Sequence, residues 1–430
     1  MSVLPAQLLP DNASVTADGR LQIAGVDILE LAREFGTPLF VHDEDHIRAR
    51  CRQAREAFPD GVAYASKAFL CRAIAELAHE EGMHIDVASG GEMHLALQAG
   101  VPADRLVLHG NNKSTAELRY ALEQRVHRVV VDSFDELDRI EALVAEGLPA
   151  PRVLLRITPG VKANTHEFIQ TGQDDSKFGF GVRVGHADRA IERAAASPAI
   201  ELVGLHAHVG SQVFEVGSFE KVAEVLAGIF ARFQAKTGPN ARMEELCIGG
   251  GLGVAYVEGE ADCGIVEWGQ AVRRACAAAG ISAKITAEPG RSIIASSAIT
   301  LYTVGTIKDI PGVRTYVSVD GGMSDNPRPV LYGSGYETFL PRATDADRPK
   351  TIRLVGKHCE SGDLLVREGL VPADIRVGDI ISTPVTGAYG YSLGSNYNKV
   401  PRPAVVFVKD GQARQVIRRE TWDDLLRLDC

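Results

Sequence analysis

The hydrophobic and polar positions of this chain follow a repeated unit between residues 62 and 292. Each unit has a short apolar run rich in β-branched residues, then a polar or glycine-rich turn, then a segment with the apolar spacing of an amphipathic helix. Segments such as AFLCRAIAELAHEEG and TAELRYALEQR have this helical spacing. The predicted strands are VAYAS from Val62, HIDVAS from His84, LVLHG from Leu106, RVVVDS from Arg128, RVLLRI from Arg152, LVGLHAHVGS from Leu202, LCIGGG from Leu246 and KITAEPG from Lys284.

Alternating strands and helices predict a parallel sheet, and eight such units predict a closed (β/α)8 TIM-like barrel. An open doubly wound sheet is the competing fold. It usually has fewer strands, and its GxGxxG fingerprint is absent after the first strand.

The pattern changes after Arg291, where strands follow one another without long helices between them. ITLYTVGTIKDI, RTYVSVDGGM, KTIRLVGKH and AVVFVKDG are the predicted strands of this region. We therefore predict a barrel over residues 37–292 and a C-terminal, mainly-β domain over 293–430. Residues 1–36 are predicted to join the β domain, with LQIAGVDI adding a strand to it.

Polar residues and glycines end several of the predicted barrel strands. The C-terminal ends of barrel strands meet at one face, where active sites are built, so these residues are expected to converge. They are Lys67, His109 with Asn111, His208 with Ser211, Gly249 to Gly251, and Glu288 to Arg291.

Composition narrows the class of protein. Of the 430 residues, 45% are hydrophobic and 24% charged, as in an ordinary globular enzyme, and no stretch is apolar for long enough to cross a membrane. The net charge of -10 and the lack of a Lys/Arg-rich run argue against nucleic acid as a partner. The N-terminus does not resemble a signal peptide. Seven scattered cysteines without a CxxC pair fit neither a zinc site nor a disulfide framework, so we expect a cytoplasmic protein without a metal.

Lys67 and Glu288 are the candidates for chemistry with a carbonyl cofactor. A lysine at an apolar strand end can form a Schiff base once desolvation lowers its pKa; the alternative is a rim lysine whose amine reaches solvent. Glu288, in EPGR, can keep a pyridine nitrogen protonated; the alternative is an ion pair with Arg291 that closes the barrel.

His206 and His208 are two residues apart on one strand, so their side chains point to the same side. They suit two metal ligands, an imidazole stacked on a flat cofactor, or satisfied core histidines. No HExxH or comparable spacing supplies a third ligand. The glycines of GGGLG, at 249–253, let a phosphate approach the backbone closely, although turns need glycine in any case.

The predicted β domain has its own polar clusters. Arg328 with Tyr332 suits a substrate carboxylate, and an acidic residue nearby, such as Glu360, suits an ammonium group. Polar loops of this kind often have no function beyond connecting strands.

Together these residues resemble the fold-type III decarboxylases that depend on pyridoxal 5'-phosphate (PLP), and most closely the diaminopimelate decarboxylase family. The resemblance covers almost the whole chain, and EPGR with CESGD is its most specific part. The matching stretches are YASKA (64–68), DVASGGE (86–92), HGNNKS (109–114), SKFGF (176–180), HAHVGSQ (206–212), GGGLG, EPGR, DNPRPVLYG (325–333), CESGD (359–363), GAYGYS (387–392) and NYN (396–398).

The resemblance implies a role for each matching residue. Lys67 corresponds to the Schiff-base lysine, His208 to the ring that stacks on PLP, and Glu288 to the partner of the pyridine nitrogen. Cys359 corresponds to the proton donor. The implied phosphate-binding residues are Ser211, Gly250, Gly251, Gly290 and Arg291, and the implied substrate-binding residues are Arg291, Arg328, Tyr332, Glu360 and Tyr389, with Tyr389 also near the cofactor.

The implied reaction is decarboxylation of meso-2,6-diaminopimelate to L-lysine, the last step of lysine biosynthesis, in a homodimer with shared active sites. A decarboxylase of ornithine or lysine is the nearest rival, but its substrate lacks the distal carboxylate that Arg328 would bind. A non-catalytic homologue would be expected to lose Lys67 or Cys359, and a racemase fits CESGD less well. The chain departs from the family pattern at Phe69, often asparagine, and at Leu393, often methionine.

Overall fold

The computed structural model describes residues 3–160, 175–208, 210–214, 216–234, 241–261 and 263–430. The chain forms two compact units. The first, called the β unit below, comprises Met1–Ala49, Val254–Ala261 and Ile293–Cys430, and the second, the barrel unit, comprises Arg50–Gly253 and Asp262–Ser292. The domain boundaries that the sequence predicts, at 36/37 and 292/293, remain predictions.

Strands and helices follow one another in the order that the sequence predicts. The strands are β1 (Ala13–Val15), β2 (Leu21–Ile23), β3 (Val26–Asp27), β4 (Leu39–Asp43), β5 (Ala63–Ala65), β6 (His84–Val87), β7 (Leu106–Leu108), β8 (Arg128–Val131), β9 (Arg152–Thr158), β10 (Phe180–Gly181), β11 (Glu201–His206), β12 (Ala241–Cys247), β13 (Lys284–Thr286), β14 (Ala298–Ile310), β15 (Arg314–Val319), β16 (Lys350–Val355), β17 (Leu364–Val371), β18 (Ile380–Pro384), β19 (Ala404–Lys409) and β20 (Gln412–Ile417). The helices are α1 (Ile28–Phe35), α2 (Glu44–Ala57), α3 (Arg72–Glu80), α4 (Gly90–Gln98), α5 (Thr115–Gln124), α6 (Phe134–Ala145), α7 (His186–Ala196), α8 (Val216–Gln234), α9 (Ile265–Ala278), α10 (Arg291–Ile294) and α11 (Arg328–Tyr332). Among the described residues, no helix has the length and apolar character needed to span a membrane.

The barrel unit contains a ring of eight parallel strands in the order β5-β6-β7-β8-β9-β11-β12-β13. A parallel bridge between Val62 and Ala287 joins β13 back to β5, and the N–H of Ala63 donates to the carbonyl of Ala287 at 2.9 Å. The short strand β10 pairs with β9 outside the ring. All eight strands predicted from the apolar runs are present, so the closed barrel is confirmed and the open sheet is excluded.

One cluster of buried side chains joins neighbouring strands of the barrel. It takes one buried side chain from each of five neighbouring strands, β7, β8, β9, β11 and β12, and these are Val107, Val130, Leu154, Val203 and Cys247. Strands of a parallel barrel are covered on both faces, which is why their sequences are apolar runs and do not alternate.

Serines placed just after three barrel strands start the helices that follow. Ser89, Ser114 and Ser133 are the N-caps of α4, α5 and α6, and each side chain accepts a backbone N–H of the first turn. Ser114 forms a full capping box with Glu117. A cap of this kind stabilises a helix by about 1 kcal/mol, so the strand-to-helix turns are defined locally by the sequence.

The β unit contains an eight-stranded sheet of mixed direction. Its order is β17-β16-β15-β14-β4-β19-β20, with β18 paired to β14. The long strand β14 pairs with β4 and β18 through its first half and with β15 through its second half. The four strands predicted for this region correspond to β14, β15, β16 and β19, so the mainly-β architecture is confirmed.

The N-terminal region belongs to this unit, and its strands lie in two different sheets. The strand of LQIAGVDI, β2, pairs with β1 and β3 in a three-stranded sheet of its own. The N-terminal strand of the large sheet is instead β4, whose five residues are all buried between β14 and β19. The burial pattern explains the difference: every residue of β4 is buried, as in a central strand, whereas the short β2 alternates.

Candidate active site

Lys67 lies where the sequence predicts, directly after a barrel strand. It occupies a 3₁₀ turn, Ser66–Ala68, at the end of β5. Its two neighbours are buried, while the Lys67 side chain is exposed. Burial has the largest effect on the pKa values of His208 and Asp86, and the positive charge of Lys67 acts to lower both.

Glu288 is the centre of a buried charged cluster after β13. His206 Nε2 lies 2.9 Å from Glu288 Oε2, and His109 Nε2 lies 3.1 Å from Glu288 Oε1. The thiol of Cys247 also donates to Oε1, at 3.2 Å. Burial acts to raise the pKa of Glu288, but the two histidines outweigh it and hold the pKa well below the usual range. Glu288 is therefore an ionised carboxylate inside the barrel.

Asp86, at the end of β6, adds a second carboxyl group to the cluster, beside the same nitrogen of His109 that Glu288 approaches. Its Oδ1 lies 3.6 Å from His109 Nε2. Burial, and then the charge of Glu288, raises the pKa of Asp86 to about 7. Burial acts to lower the pKa of His109, but Glu288 and Asp86 together raise it to about 9. One nitrogen of a cationic imidazole thus lies near two carboxyl groups.

The two histidines of the HAH motif have different surroundings. His206 is buried and bonds to Glu288, whereas His208 Nδ1 accepts the N–H of Gly250 at 3.2 Å. Burial, and then the charges of Lys67 and Arg156, lower the pKa of His208 well below its usual value. His208 is therefore a neutral, flat ring whose orientation is set by the glycine turn.

The glycines of GGGLG and EPGR allow close packing of the turns at this end of the barrel. A Cβ at Gly250 would lie 2.1 Å from the carbonyl oxygen of Glu288, and a Cβ at Gly251 would lie 2.0 Å from that of Gly210. A Cβ at Gly290 would lie 2.8 Å from the carbonyl oxygen of Ala65. Any side chain at these positions would push the turns apart.

Arg291 brings a buried cation to the same turns. It follows Gly290 directly, is largely buried, and its Nη2 donates to Ser211 Oγ at 2.8 Å. A guanidinium group, a hydroxyl and a glycine-rich turn are groups that bind phosphate. Together with an ionised carboxylate, a neutral imidazole and a lysine amine, they fit a pyridine ring that carries a carbonyl and a phosphate.

The β unit holds the predicted substrate residues around Arg328, at the start of α11. Arg328 is 4% exposed, with its guanidinium 4.0 Å from the ring centroid of Tyr256 and 5.4 Å from that of Tyr336. Its Nη1 donates to the Tyr336 hydroxyl. Within the described residues Arg328 forms no ion pair with a carboxylate, and its buried Nε has no hydrogen-bond partner. Tyr332 lies on the same helix and is half-buried.

Cys359 and Glu360 lie on an exposed loop of the β unit. The N–H of Cys359 donates to Asn398 Oδ1 at 3.0 Å, and Asn398 belongs to the NYN motif. Asp363, the last residue of CESGD, accepts the N–H of Met323 at 2.7 Å and that of His358 at 2.8 Å. These bonds tie the loop to the segment that leads into Arg328, while the Cys359 thiol stays accessible.

Several residues of both clusters have no role in the prediction from sequence. His109 is expected at the barrel face, and Asp86 stands in a matching motif, but neither has a partner assigned; their positions at strand ends are the signal that could have found them. The sequence pattern does not identify Tyr256, which lies far from Arg328 along the chain. It also does not identify Tyr336, which lies after the helix that begins at Arg328. Val209, within HAHVGSQ, lies outside the described residues.

The fold and the barrel site together define an enzyme of the PLP-binding barrel class. Residues 44–295 match the model of the family described as "Pyridoxal-dependent decarboxylase, pyridoxal binding domain". The chain is 47% identical over 440 residues to the diaminopimelate decarboxylase of Mycobacterium tuberculosis, covering 99% of this chain and 98% of that protein. It is 46% identical over 422 residues to that of Bacillus subtilis, with 96% and 95% covered.

Solved structures agree with this similarity. The diaminopimelate decarboxylase of M. jannaschii in complex with L-lysine superposes with a TM-score of 0.90, at 31% identity, covering 98% of both chains. The chain belongs to the pyridoxal-dependent decarboxylases, and among them to the diaminopimelate decarboxylase family.

Proposed function

We propose that this chain decarboxylates meso-2,6-diaminopimelate at its D-configured centre, giving L-lysine and carbon dioxide, the last step of lysine biosynthesis. The relatives from M. tuberculosis and B. subtilis carry the name of this activity. The M. jannaschii and Helicobacter pylori enzymes of the same name have been solved with L-lysine bound. L-lysine is the product that the proposed reaction releases.

The observation that carries the substrate assignment is the environment of Arg328. A buried guanidinium costs free energy unless an anion or hydrogen bonds compensate it. Here two tyrosine rings contact the cation, and the described residues supply no carboxylate to it. A carboxylate from a ligand would complete this environment with a charge-assisted pair. Diaminopimelate has a distal carboxylate, and ornithine and lysine do not.

PLP is the cofactor in this proposal, held by Lys67, His208, Ser211, Gly250, Gly251, Glu288, Gly290, Arg291 and Tyr389. When bound, PLP supplies an electron sink for the carbanion that forms as carbon dioxide leaves. The Lys67 amine provides the covalent link to the protein. The phosphate is assigned to Ser211, Arg291 and the glycine turns.

Glu288 and His208 set the electronic state of the ring in this proposal. The ionised Glu288 accepts a hydrogen bond from a protonated ring nitrogen and so stabilises the proton there. His208, kept neutral, offers a flat apolar face without adding a competing positive charge. Both properties follow from the partners of these side chains in the barrel unit.

The remaining residues are assigned to the substrate. Arg328 takes the distal carboxylate, and Glu360 takes the distal ammonium group as an ion pair. Cys359 returns a proton to the substrate carbon from its exposed loop. Arg291, Tyr332 and Tyr389 are assigned further substrate contacts.

Carbon dioxide release across related amino acids tests the proposal. Purified protein with PLP is expected to release it from meso-diaminopimelate and far more slowly from the LL isomer, ornithine and lysine. The DD isomer tests whether the enzyme also selects the configuration of the distal carbon. A preference for ornithine or lysine would reject the assigned substrate and, with it, the role of Arg328.

Borohydride treatment tests the role of Lys67. The protein is expected to bind PLP with a visible absorbance, and reduction should fix the label on the peptide that contains Lys67. The matched control is Lys113, which is also near a barrel strand end but is buried and bonded to Glu136 Oε1 at 2.8 Å. Label on the Lys113 peptide, or on any other, would overturn the assignment.

We also propose that the protein acts as a homodimer in which Cys359 of one chain serves the Lys67 site of the other. The exposed position of the Cys359 loop supports this, because its thiol is open to a second molecule. Lys67→Ala and Cys359→Ala chains, each inactive alone, should regain activity when mixed after reversible dissociation, since a heterodimer then has one intact site. Continued inactivity, with heterodimers shown by mass spectrometry, would reject shared sites.

A cytoplasmic location is part of the proposal as well. All seven cysteines are free thiols, two of them exposed, which fits a reducing compartment.

A further inference from the structure

We propose that His109 is a positioning residue of the barrel site: as a cation it bridges Asp86 and Glu288, and it keeps Glu288 ionised and correctly oriented for the ring nitrogen of the cofactor. The proposal rests on the proposed function, because it takes Glu288 as the partner of that nitrogen. No motif role is assigned to His109 by the sequence pattern, so its function is inferred from the contacts alone.

The backbone and ring of His109 are both held in place. Its N–H donates to the carbonyl of Val87 at 2.8 Å, which extends the pairing of β7 with β6 by one residue. The side chain is 13% exposed, and its Nε2 lies 3.1 Å from Glu288 Oε1 and 3.6 Å from Asp86 Oδ1. The N–H does not point directly at either oxygen, so the ring is shared between the two carboxyl groups as an ion pair.

His206 approaches the other oxygen of the same carboxylate. Its ring stands edge-on to that of His109, with the centroids 5.1 Å apart, and its Nε2 lies 2.9 Å from Glu288 Oε2. Burial lowers the pKa of His206, while Glu288 and Asp86 raise that of His109 to about 9. The two imidazoles therefore differ in charge. His206 is neutral and donates a hydrogen bond to Glu288, whereas His109 is a cation.

The charge on His109 decides the state of Glu288. Burying a carboxylate favours its neutral form, and Glu288 is 8% exposed and has Asp86 as an acidic neighbour. The largest opposing contribution to the pKa of Glu288 comes from His109. A neutral residue at 109 would let Glu288 take up a proton, and a protonated Glu288 is a weaker hydrogen-bond acceptor for a protonated ring nitrogen.

The first test measures the charge of His109 without using catalysis. NMR of the full-length protein with ¹³C-labelled histidine, with and without PLP, gives the titration of each ring, and the signal lost in His109→Gln identifies residue 109. We expect an imidazolium signal at neutral pH that is lost only near pH 9 in the cofactor-free protein. A His109 signal that is already neutral at pH 7 would overturn the proposal.

The second test follows the ring nitrogen directly, with ¹⁵N-labelled PLP bound to the protein. His109→Gln should shift the ¹⁵N signal toward the unprotonated ring and lower kcat roughly 10- to 100-fold, as when an outer partner of a functional group is removed. PLP affinity should change much less, because the phosphate contacts are elsewhere. The control is His127→Gln, which removes a half-buried histidine of the same unit, whose ring centroid lies 4.4 Å from that of His84.

Comparison with Glu288→Gln separates the two levels of the proposal. If Glu288→Gln shifts the ¹⁵N signal and His109→Gln does not, His109 has no positioning role although the proposed function stands. If neither variant shifts the signal, Glu288 is not the partner of the ring nitrogen and the proposed function itself fails at this point. A shift in both variants, with none in His127→Gln, supports the positioning role.

Discussion

The two units of the chain carry their buried charges in different ways. In the barrel unit, Glu288 is ionised because His109 and His206 lie within 3.1 Å of its oxygens. In the β unit, Arg328 is a buried cation between Tyr256 and Tyr336, without a carboxylate partner in the part of the chain that the structure describes. The charge of the first cluster is balanced by the protein itself. At Arg328 the described residues supply no opposite charge, which supports the proposal that a ligand anion binds there.

A second buried arginine of the β unit shows that this difference is specific. Arg348 is 2% exposed, and its Nη1 lies 3.1 Å from Glu337 Oε2 and donates to the carbonyl of Thr338 at 2.8 Å. A structural arginine in this unit is thus paired within the chain. The contrast supports the proposal that Arg328 binds a ligand carboxylate, because a buried guanidinium is usually paired with an anion.

The largest effect on catalysis is expected when Glu288, the charge at the centre of the barrel cluster, is neutralised. Glu288→Gln should lower kcat by about 10² to 10⁴ while PLP stays bound, because the proton on the ring nitrogen loses its carboxylate. Steady-state kinetics with PLP absorbance measures both quantities. The matched control is Glu136→Gln, which removes another buried carboxylate, 2.8 Å from Lys113 Nζ. Glu136→Gln should lower stability without changing kcat per folded molecule; equal losses of kcat would show that any buried carboxylate of the barrel matters alike.

Replacing Arg328 is expected to have a smaller effect on catalysis, and one that depends on the substrate. Arg328→Ala should cost roughly 2–4 kcal/mol in kcat/KM with diaminopimelate, as when a buried charge pair loses one partner. The slow reaction with lysine should hardly change, because lysine offers no distal carboxylate. Arg328→Lys should recover little, because a point charge does not replace the planar guanidinium stacked on Tyr256.

Arg348→Ala is the control for that substitution. It should lower the midpoint of thermal unfolding and leave the substrate preference unchanged, because its partner Glu337 belongs to the protein. If Arg348→Ala altered substrate preference, or if Arg328→Ala reduced both substrates equally, Arg328 would have to be a structural residue.

The sequence predicts the parts of the molecule that depend on local pattern. Apolar β-branched runs identify the eight barrel strands, and their ends identify Lys67, His208 and Glu288 as neighbours, because parallel strands of a closed barrel end at one face. Pairings between distant segments are not visible in such patterns. Tyr256 is separated by a long stretch of chain from Arg328, yet its ring lies 4.0 Å from the guanidinium.

The hydrogen-bond partners and charge states of the site residues also cannot be predicted from the sequence pattern alone. His206 and His208 are equivalent in spacing, but only the three-dimensional structure shows that one bonds to Glu288 and the other accepts the N–H of Gly250. In the same way, EPGR predicts an ion pair between Glu288 and Arg291 as readily as a cofactor site. The observed partners are the histidines for Glu288 and Ser211 for Arg291.

The smallest expected effect is a change in how the stability of the protein depends on pH. It tests whether His109 and Asp86 have raised pKa values in the folded protein. The pKa of His109 rises from 6.5 to about 9 on folding, and that of Asp86 rises from 3.8 to about 7. The folded state therefore binds more protons than the unfolded state across these ranges, so stability falls as pH increases from 6.5 to 9 through His109 and from 3.8 to 7 through Asp86. His127 has the opposite sign: its pKa falls to about 2, so its contribution to stability rises with pH up to 6.5.

Thermal unfolding of the cofactor-free protein at a series of pH values measures these slopes. His109→Gln should flatten the decline above pH 6.5, whereas His127→Gln should flatten the rise below it. Each kcal/mol corresponds to about 2–4 °C in Tm for a unit of this size. A Trp422→Phe background leaves Trp268, buried in the barrel unit, as the single tryptophan, so its fluorescence reports on that unit. If His109→Gln left the slope above pH 6.5 unchanged, His109 would not carry a raised pKa in the folded protein, and the cluster would not hold its charge before the cofactor binds.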